Sequence, residues 1–297
     1  MPGPVRVLHV VTRMNVGGLA RHLRTLIPSL RSRGFAPVLM HGPVDDDEAE
    51  LPLEDDETPV LHNPWLRRRI DPVADLRAAN EIRRAIAWIR PSIVHTHMAK
   101  AGALGRRAAM SSDVPGIVHT FHGHVLEGYF ATPVNRLFVS IERELARRTD
   151  ALVGVSRSVR DDLSRIGIGQ ERTWSVIPYG FDLAPFRSPA SDRATVRRDL
   201  AIAPDALAVG IVGRLVPIKN LGLFFQGARR VASEHPSAVF VVAGDGDLRS
   251  ALESEARDLL GDRAVFTGWV GDLPSLYASL DVTVLTSLNE GTPVALI

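Results

Sequence analysis

A chain of 297 residues is long enough for two domains, and with 45% hydrophobic and 23% charged residues it is an ordinary globular protein with ample core. Its formal net charge of +1 supplies no global field for nucleic acid, and the lack of cysteine excludes a disulfide framework and thiolate metal sites. No run approaches the roughly 18 consecutive apolar residues of a membrane span, so a soluble or peripheral protein is expected, with no nucleic-acid partner.

Residues 5–12 read as a buried first strand, too short and too interrupted for a signal peptide. The strand ends in Arg13-Met14-Asn15-Val16-Gly17-Gly18, and Leu19, Leu23, Leu26 and Leu30 then mark one helix face that stops near Gly34. A short strand is expected over 36–40. The acidic run from Asp45 to Glu57 has few apolar neighbours and predicts a solvated loop, with Arg67-Arg68-Arg69 as nearby partners. Asp71-Pro72 opens a helix by the cap-then-proline rule. Its stripe is Leu76, Ala79, Ile82, Ile86 and Ile89, and Pro91 ends it.

A strand over 93–96, a small-residue helix over 100–110 and a strand over 116–121 follow. His122-Gly123-His124 leads through an aromatic segment to a long helix with Val134, Leu137, Phe138, Ile141 and Leu145 on its core face. Strands over 151–155 and 174–177 complete this half, with Ser156 or Ser158 capping the helix between them. Pro178-Tyr179-Gly180-Phe181-Asp182 breaks the pattern, which places a first domain at 1–182 and a second at 183–297.

The second half repeats the alternation, with strands at 208–212, 238–243, 265–267 and 282–285 and helices at 221–233, 247–260 and 273–278. Strands alternating with helices at this spacing predict an α/β protein with parallel sheets. After the strand at 208–212, a loop carries Arg214 and Lys219, and Asn220 is placed to cap a helix with Leu221, Phe224, Phe225 and Ala228 on its buried face. This layout suits a diphosphate. A guanidinium grips two oxygens, an ammonium adds a point charge and a helix start adds a partial positive charge. Two solvated cations at a βα turn are the plain alternative. Ligands of open parallel sheets bind beyond the carboxyl edges of the strands, so the site is expected in a cleft where two such edges face each other.

His95, His97, His119, His122 and His124 lie within thirty residues, and two strand ends are expected to bring them together. His95 and His97 share a strand face, which admits a metal pair, but no nearby carboxylate completes a ligand set and no metal is expected. At the other end, Thr292 and Pro293 read as the cap and first residue of a helix that is cut off within a turn, the mark of a fragment.

Eight motifs in order carry a family likeness: Gly17-Gly18, His95-Thr96-His97, His119-Thr120-Phe121-His122-Gly123, Gly154-Val155-Ser156, Ile177-Pro178 with Gly180 and Asp182, Gly213-Arg214-Leu215 with Lys219, Gly244-Asp245-Gly246, and Glu290-Gly291-Thr292-Pro293. Together they resemble the retaining glycosyltransferases of the GT-B fold, group 4, over almost the whole chain. The resemblance implies two Rossmann-like domains about a central cleft, the second incomplete here, with no metal or other cofactor. It implies a nucleotide-diphosphate sugar as donor, bound by the second domain, and a sugar, lipid-linked or small-molecule acceptor bound mostly by the first.

By the same resemblance, Arg214 and Lys219 stabilise the departing diphosphate, with Gly213, Asp245, Gly246, Gly291 and Thr292 in the donor site. Gly17 and Gly18 let backbone N–H groups approach an anion or a sugar. Glu290 accepts hydrogen bonds from donor hydroxyls as the first of a Glu-x7-Glu pair, whose second member would follow Ile297. For lack of that partner, and more for lack of the remaining strands and the C-terminal helix, the chain as it stands is expected to be inactive or nearly so. His122 is the histidine beside the reacting sugar; His97, Lys100 and His124 face the acceptor; the backbone at Trp269-Val270 meets the base. Ser156 caps its helix. A nucleotide-sugar epimerase of the same architecture and a non-catalytic nucleotide-sugar-binding remnant are the alternatives. A nicotinamide dehydrogenase is disfavoured because Gly17-Gly18 lacks the Gly-x-Gly-x-x-Gly spacing. A cytoplasmic protein is expected, with Arg106-Arg107 and Arg147-Arg148 as candidates for peripheral contact with an anionic membrane.

Overall fold

The computed structural model describes residues 3–46, 48–123 and 132–297. The chain divides into two compact units, Met1–Phe181 and Asp182–Ile297.

The first unit is built on seven parallel strands, β1 (Val5–Arg13), β2 (Phe35–Gly42), β3 (Val60–His62), β4 (Ile93–His97), β5 (Gly116–Phe121), β6 (Ala151–Gly154) and β7 (Trp174–Val176), in the order β3-β2-β1-β4-β5-β6-β7. Among the described residues five helices cover it: α1 (Gly18–Arg31), α2 (Pro72–Ile89), α3 (Ala99–Met110), α4 (Thr132–Arg147) and α5 (Arg157–Arg165). A parallel strand covered on both faces needs apolar residues in both registers. β1 meets that demand. Leu8 and Val10 join Val94 and Ile117 against Ile82, Ile86 and Ala108 of α2 and α3, while Val11 packs with Leu39 against Leu23 and Ile27 of α1.

Several local expectations are corrected. The buried face of α2 is Ala74, Ala78, Ile82, Ala85, Ile86 and Ile89, and Leu76 is exposed. Alanines set this stripe, and their weak hydrophobicity hides it from the pattern. Asp71 does cap the helix, accepting from the N–H groups of Val73 and Ala74. On α4, Leu137 is exposed, whereas Phe138 and Leu145 lie on the core side. Ser156, not Ser158, caps α5, accepting from Val159 N–H at 3.2 Å.

The acidic segment is docked at two points and solvated elsewhere: Asp46, Glu50, Glu54, Asp56 and Glu57 are exposed. Glu48 is buried against Arg13 and Asn15, Asp55 against Arg31, and Leu51 N–H donates to Met14 O at 2.7 Å. Its cationic partners come mainly from β1 and α1; the arginine triplet contributes Arg68, 4.0 Å from Asp45.

The second unit holds a four-stranded parallel sheet, β8 (Ala208–Val212), β9 (Val239–Ala243), β10 (Ala264–Gly268) and β11 (Val282–Thr283), in the order β10-β9-β8-β11. Its helices are α6 (Ala184–Arg187), α7 (Arg193–Asp199), α8 (Leu221–Glu234), α9 (Arg249–Leu260) and α10 (Leu273–Ser279). The short α6 and α7 carry too few apolar repeats to show in the sequence. What fixes α7 is the buried Arg197, which donates to Ser279 O, Pro204 O and Ala206 O and pairs with Asp281 at 2.7 Å. Asn220 does not cap α8 with its side chain; it sits in the left-handed region at φ 49° and ends a single 3-10 turn, Pro217–Lys219. Thr292 and Pro293 lead into a 3-10 turn, Val294–Leu296.

Candidate functional site

In an open parallel sheet, ligands bind where neighbouring strands lead off in opposite directions. Each unit has one such point, between β1 and β4 in the first and between β8 and β11 in the second. The candidate residues gather at these two places.

In the first unit, His9 of β1 is the register partner of His95 of β4, and Val11 is the partner of His97. Alternation along each strand therefore puts His9, His95 and His97 on one face, the face covered by α1. His9 Nδ1 lies 3.2 Å from His97 Nε2, His97 Nδ1 lies 2.9 Å from His122 Nε2, and His122 Nδ1 lies 2.6 Å from the Tyr179 hydroxyl. His95 Nε2 meets Thr120 Oγ1 at 2.7 Å. His22 of α1 stacks on Tyr179 with ring centroids 4.7 Å apart.

Burial, reinforced by the mutual repulsion of the rings, keeps this group neutral. His9 is lowered to about 4 by burial and then by His22. His22 is lowered to about 4 by burial, and His122 to about 3 by burial and then by His22. His95 and His97 are pushed well below the usual histidine range by burial first and neighbouring imidazoles second. Burial also raises the Tyr179 hydroxyl, so it stays protonated.

Nitrogens of His9, His95 and His97 lie within 4.8 Å of one another, a spacing that could hold a metal ion. No carboxylate of the described residues joins that group, and both nitrogens of His97 are already engaged by His9 and His122.

The other candidates of this unit are dispersed. His119 points to the opposite face of the sheet, where it meets Thr96 Oγ1 at 2.8 Å and lies under α3. A Cβ on Gly102 would approach its ring to 2.5 Å. The expected gathering of His119 with His95 and His97 is thus corrected, because its register partner is Thr96 and not a histidine. His124 lies outside the described residues. Lys100 is tied to Asp75 at 2.6 Å and to Arg69 O. Gly17 precedes α1 in extended backbone, where a Cβ would make only an ordinary contact of 3.8 Å, so local sterics do not demand glycine there. Together with Gly18 it opens a helix that has no side-chain cap and no acidic residue in its first turn.

In the second unit, Lys219 stands in the loop after β8 and Glu290 in the loop after β11. Lys219 Nζ is 2.5 Å from Glu290 Oε1, which also accepts from Ser287 Oγ at 2.7 Å. Two further bonds zip the loops together: Leu288 N–H to Ile218 O at 2.9 Å and Thr286 Oγ1 to Lys219 O at 3.0 Å. Arg214 is exposed beside them. The turn after β9 presses on this loop. Leu215 N–H donates to Asp245 O at 2.9 Å, and a Cβ on Gly244 would lie 2.0 Å from Gly213 O. Gly244 also adopts φ 136°, so glycine is required twice over. The Asp245 carboxylate is held below its usual range by Gly246 N–H and then by Arg249, which it meets at 2.7 Å, so it pins the turn. Gly291 and Thr292 follow Glu290 on the half-buried side of this edge, and Trp269 after β10 is exposed.

Sequence reading missed His9, His22 and Tyr179. A lone histidine inside the apolar run of β1 was the available signal for His9.

Residues 16–185 match the family model described as Glycosyltransferase Family 4, and residues 206–297 match the one described as Glycosyl transferases group 1. The chain belongs to glycosyltransferase family 4. It is 32% identical to the Escherichia coli UDP-Gal:alpha-D-GlcNAc-diphosphoundecaprenol alpha-1,3-galactosyltransferase, over 82% of this chain and 64% of that protein. It is 28% identical to the Acidothermus cellulolyticus D-inositol 3-phosphate glycosyltransferase, over 80% of this chain and 54% of that one. The chain thus spans less than two thirds of the length of these relatives. Among solved structures, Anabaena HepE in complex with UDP-glucose matches with a TM-score of 0.76 at 20% identity, covering 95% of this chain and 74% of that one. The Thermosynechococcus elongatus sucrose-phosphate synthase matches with a TM-score of 0.80 at 18% identity, covering 98% and 77%. These likenesses agree with a GT-B fold of two Rossmann-like units. Among the described residues no helix is long and apolar enough to cross a membrane.

Proposed function

We propose that the protein transfers a sugar from a nucleotide-diphosphate donor to an acceptor hydroxyl, with retention of configuration, in the synthesis of a cell-surface glycan or glycolipid. The observation that carries this reading is the Lys219–Glu290 pair, set at the strand switch point of the second unit beside Arg214. Breaking the bond from sugar to diphosphate leaves negative charge on the phosphate, and preorganised cations are the cheapest way to hold it. An ammonium has three N–H donors, so its bond to Glu290 leaves capacity for phosphate oxygens. Glu290 in turn keeps a second oxygen for sugar hydroxyls. Gly17, Gly18 and the bare N-terminus of α1 offer backbone donors on the first unit.

The donor is a UDP-hexose on this reading. UDP-Gal in the name of the E. coli relative and UDP-glucose in the HepE complex support that choice. A thermal-shift panel of UDP-galactose, UDP-glucose, UDP-N-acetylglucosamine and GDP-mannose tests it. A rise in Tm with uridine donors, absent in Lys219→Ala, is the expected result; no rise with any of the four sinks the reading.

A peripheral membrane contact belongs to the same proposal, moved to a different surface. Of the four arginines expected there, Arg106 is fully buried and paired with Glu142 at 2.6 Å, so it faces no membrane, while Arg107, Arg147 and Arg148 are exposed. The outer face of α2 exposes Val73, Leu76 and Trp88 with Arg83 and Arg84, and the loop just before it exposes Ile70 with Arg67 and Arg69. Apolar anchors among cations suit an anionic lipid surface. Co-sedimentation with phosphatidylglycerol vesicles, lost in Trp88→Glu, is expected; equal sedimentation with phosphatidylcholine alone overturns the charge component.

A further inference from the structure

The imidazole chain of the first unit has only two possible arrangements of its hydrogens. A neutral imidazole carries one N–H, so each ring donates through one nitrogen and accepts through the other. If His97 carries its proton on Nε2, its Nδ1 must accept from His122 Nε2–H, and His122 Nδ1 must accept from the Tyr179 hydroxyl. If His9 donates through Nδ1 instead, the order reverses along the whole chain: His9 Nδ1–H to His97, His97 Nδ1–H to His122, and His122 Nδ1–H to Tyr179. One choice fixes every bond.

His9 decides between them. Its ring is fully buried, and its Nε2 has no hydrogen-bond partner among the described residues. The first arrangement leaves a buried N–H there without an acceptor; the second leaves only a lone pair. Orphaned buried N–H groups are the rarer defect, so the second arrangement is favoured. It has a consequence at the far end. Both nitrogens of His122 are engaged by protein, so His122 has none left for a substrate. Tyr179 accepts from His122 and keeps its own O–H to give away. The tyrosine is only half-buried, and beside its ring His22 Nδ1 is a second buried polar atom without a partner. Tyr179 is thus the partly accessible end of the imidazole chain.

We propose that Tyr179 is the substrate-contacting group of this edge: its hydroxyl accepts from His122 Nδ1–H and donates to an oxygen of the acceptor saccharide, while His122, His97 and His9 are positioning residues that set its direction. The choice of a saccharide rests on the glycosyl-transfer reading; the hydrogen order does not.

Two measurements test the proposal. In protein labelled with 15N-histidine, long-range 1H–15N correlation reports the tautomer of each ring. His9, His97 and His122 are expected as Nδ1–H, and Nε2–H at His97 or His122 overturns the proposal. In a transfer assay with UDP-galactose or UDP-glucose as donor and a saccharide acceptor present, Tyr179→Phe is expected to lower kcat about fivefold, the worth of one uncharged hydrogen bond, with the donor KM unchanged. Unchanged kcat in that variant overturns the substrate contact. The tautomer spectrum can be read whether or not sugar is transferred, so failure of the proposed function and failure of the hydrogen order give different results.

Discussion

The two switch points solve one topological problem with opposite electrostatics. At β1/β4 the side chains are neutral, mostly dry and joined ring to ring, and burial holds His9, His97 and His122 uncharged. At β8/β11 the side chains are a partly open ion pair beside an exposed guanidinium. Ordered dipoles suit uncharged sugar hydroxyls, where a full charge would only add desolvation. Fixed cations suit a diphosphate, where dipoles alone are too weak. One strand order thus hosts two chemistries, because the switch point sets a location while side chains choose its charge.

Acid gives the largest break in this comparison. Unfolded, the histidines take up protons near 6.5; folded, His9 and His22 do so near 4 and His122 near 3. The unfolded chain therefore binds more protons between these values, and stability falls as pH falls through that window. His9 alone costs about 3 kcal/mol by pH 4, from a shift of about 2.5 units. Nine of the ten histidines lie in the first unit. Amide exchange between pH 6.5 and 4 should open β1, β4 and β5 before β8 and β9; simultaneous loss in both sheets would contradict the assignment.

Charge at the other edge gives the next effect. On the proposed donor reading, Lys219→Ala removes a charge-assisted contact worth about 1.5–3 kcal/mol, so UDP-sugar affinity by calorimetry should fall roughly 10- to 150-fold. The same variant should leave the histidine tautomers unchanged, which checks that the two edges work independently.

Packing behind the imidazole edge comes third. Gly102→Ala drives a methyl to 2.5 Å from the His119 ring, and overpacking of this kind costs about 1–3 kcal/mol. Denaturant unfolding followed at Trp174 in the first unit should show it. Smallest is Asp71→Ala, which removes the cap of α2 and touches neither edge: about 1 kcal/mol of stability is lost, with nucleotide-sugar binding unchanged.

Much of this was legible in advance, and the misses have physical reasons. Alternation of apolar runs located most of the strands, and Asp71-Pro72 and Ser156 announced their caps, because period and capping act within a few residues. Glu48 and Asp55 were misread as solvated because their partners, Arg13 and Arg31, lie on other elements. Arg106 looked like a surface cation until Glu142 of α4 was placed beside it.

Local chemistry therefore determined that this is an α/β chain with a cation-bearing loop after β8 and histidines on β4 and β5. Tertiary structure alone decided which of them meet. His9 and His95 stand far apart in sequence, yet they become register partners because β1 lies beside β4 in the sheet. Lys219 and Glu290 meet because β8 lies beside β11. Alternation fixes the face on which a side chain stands, but strand order is a property of the whole sheet, and it chooses the neighbour.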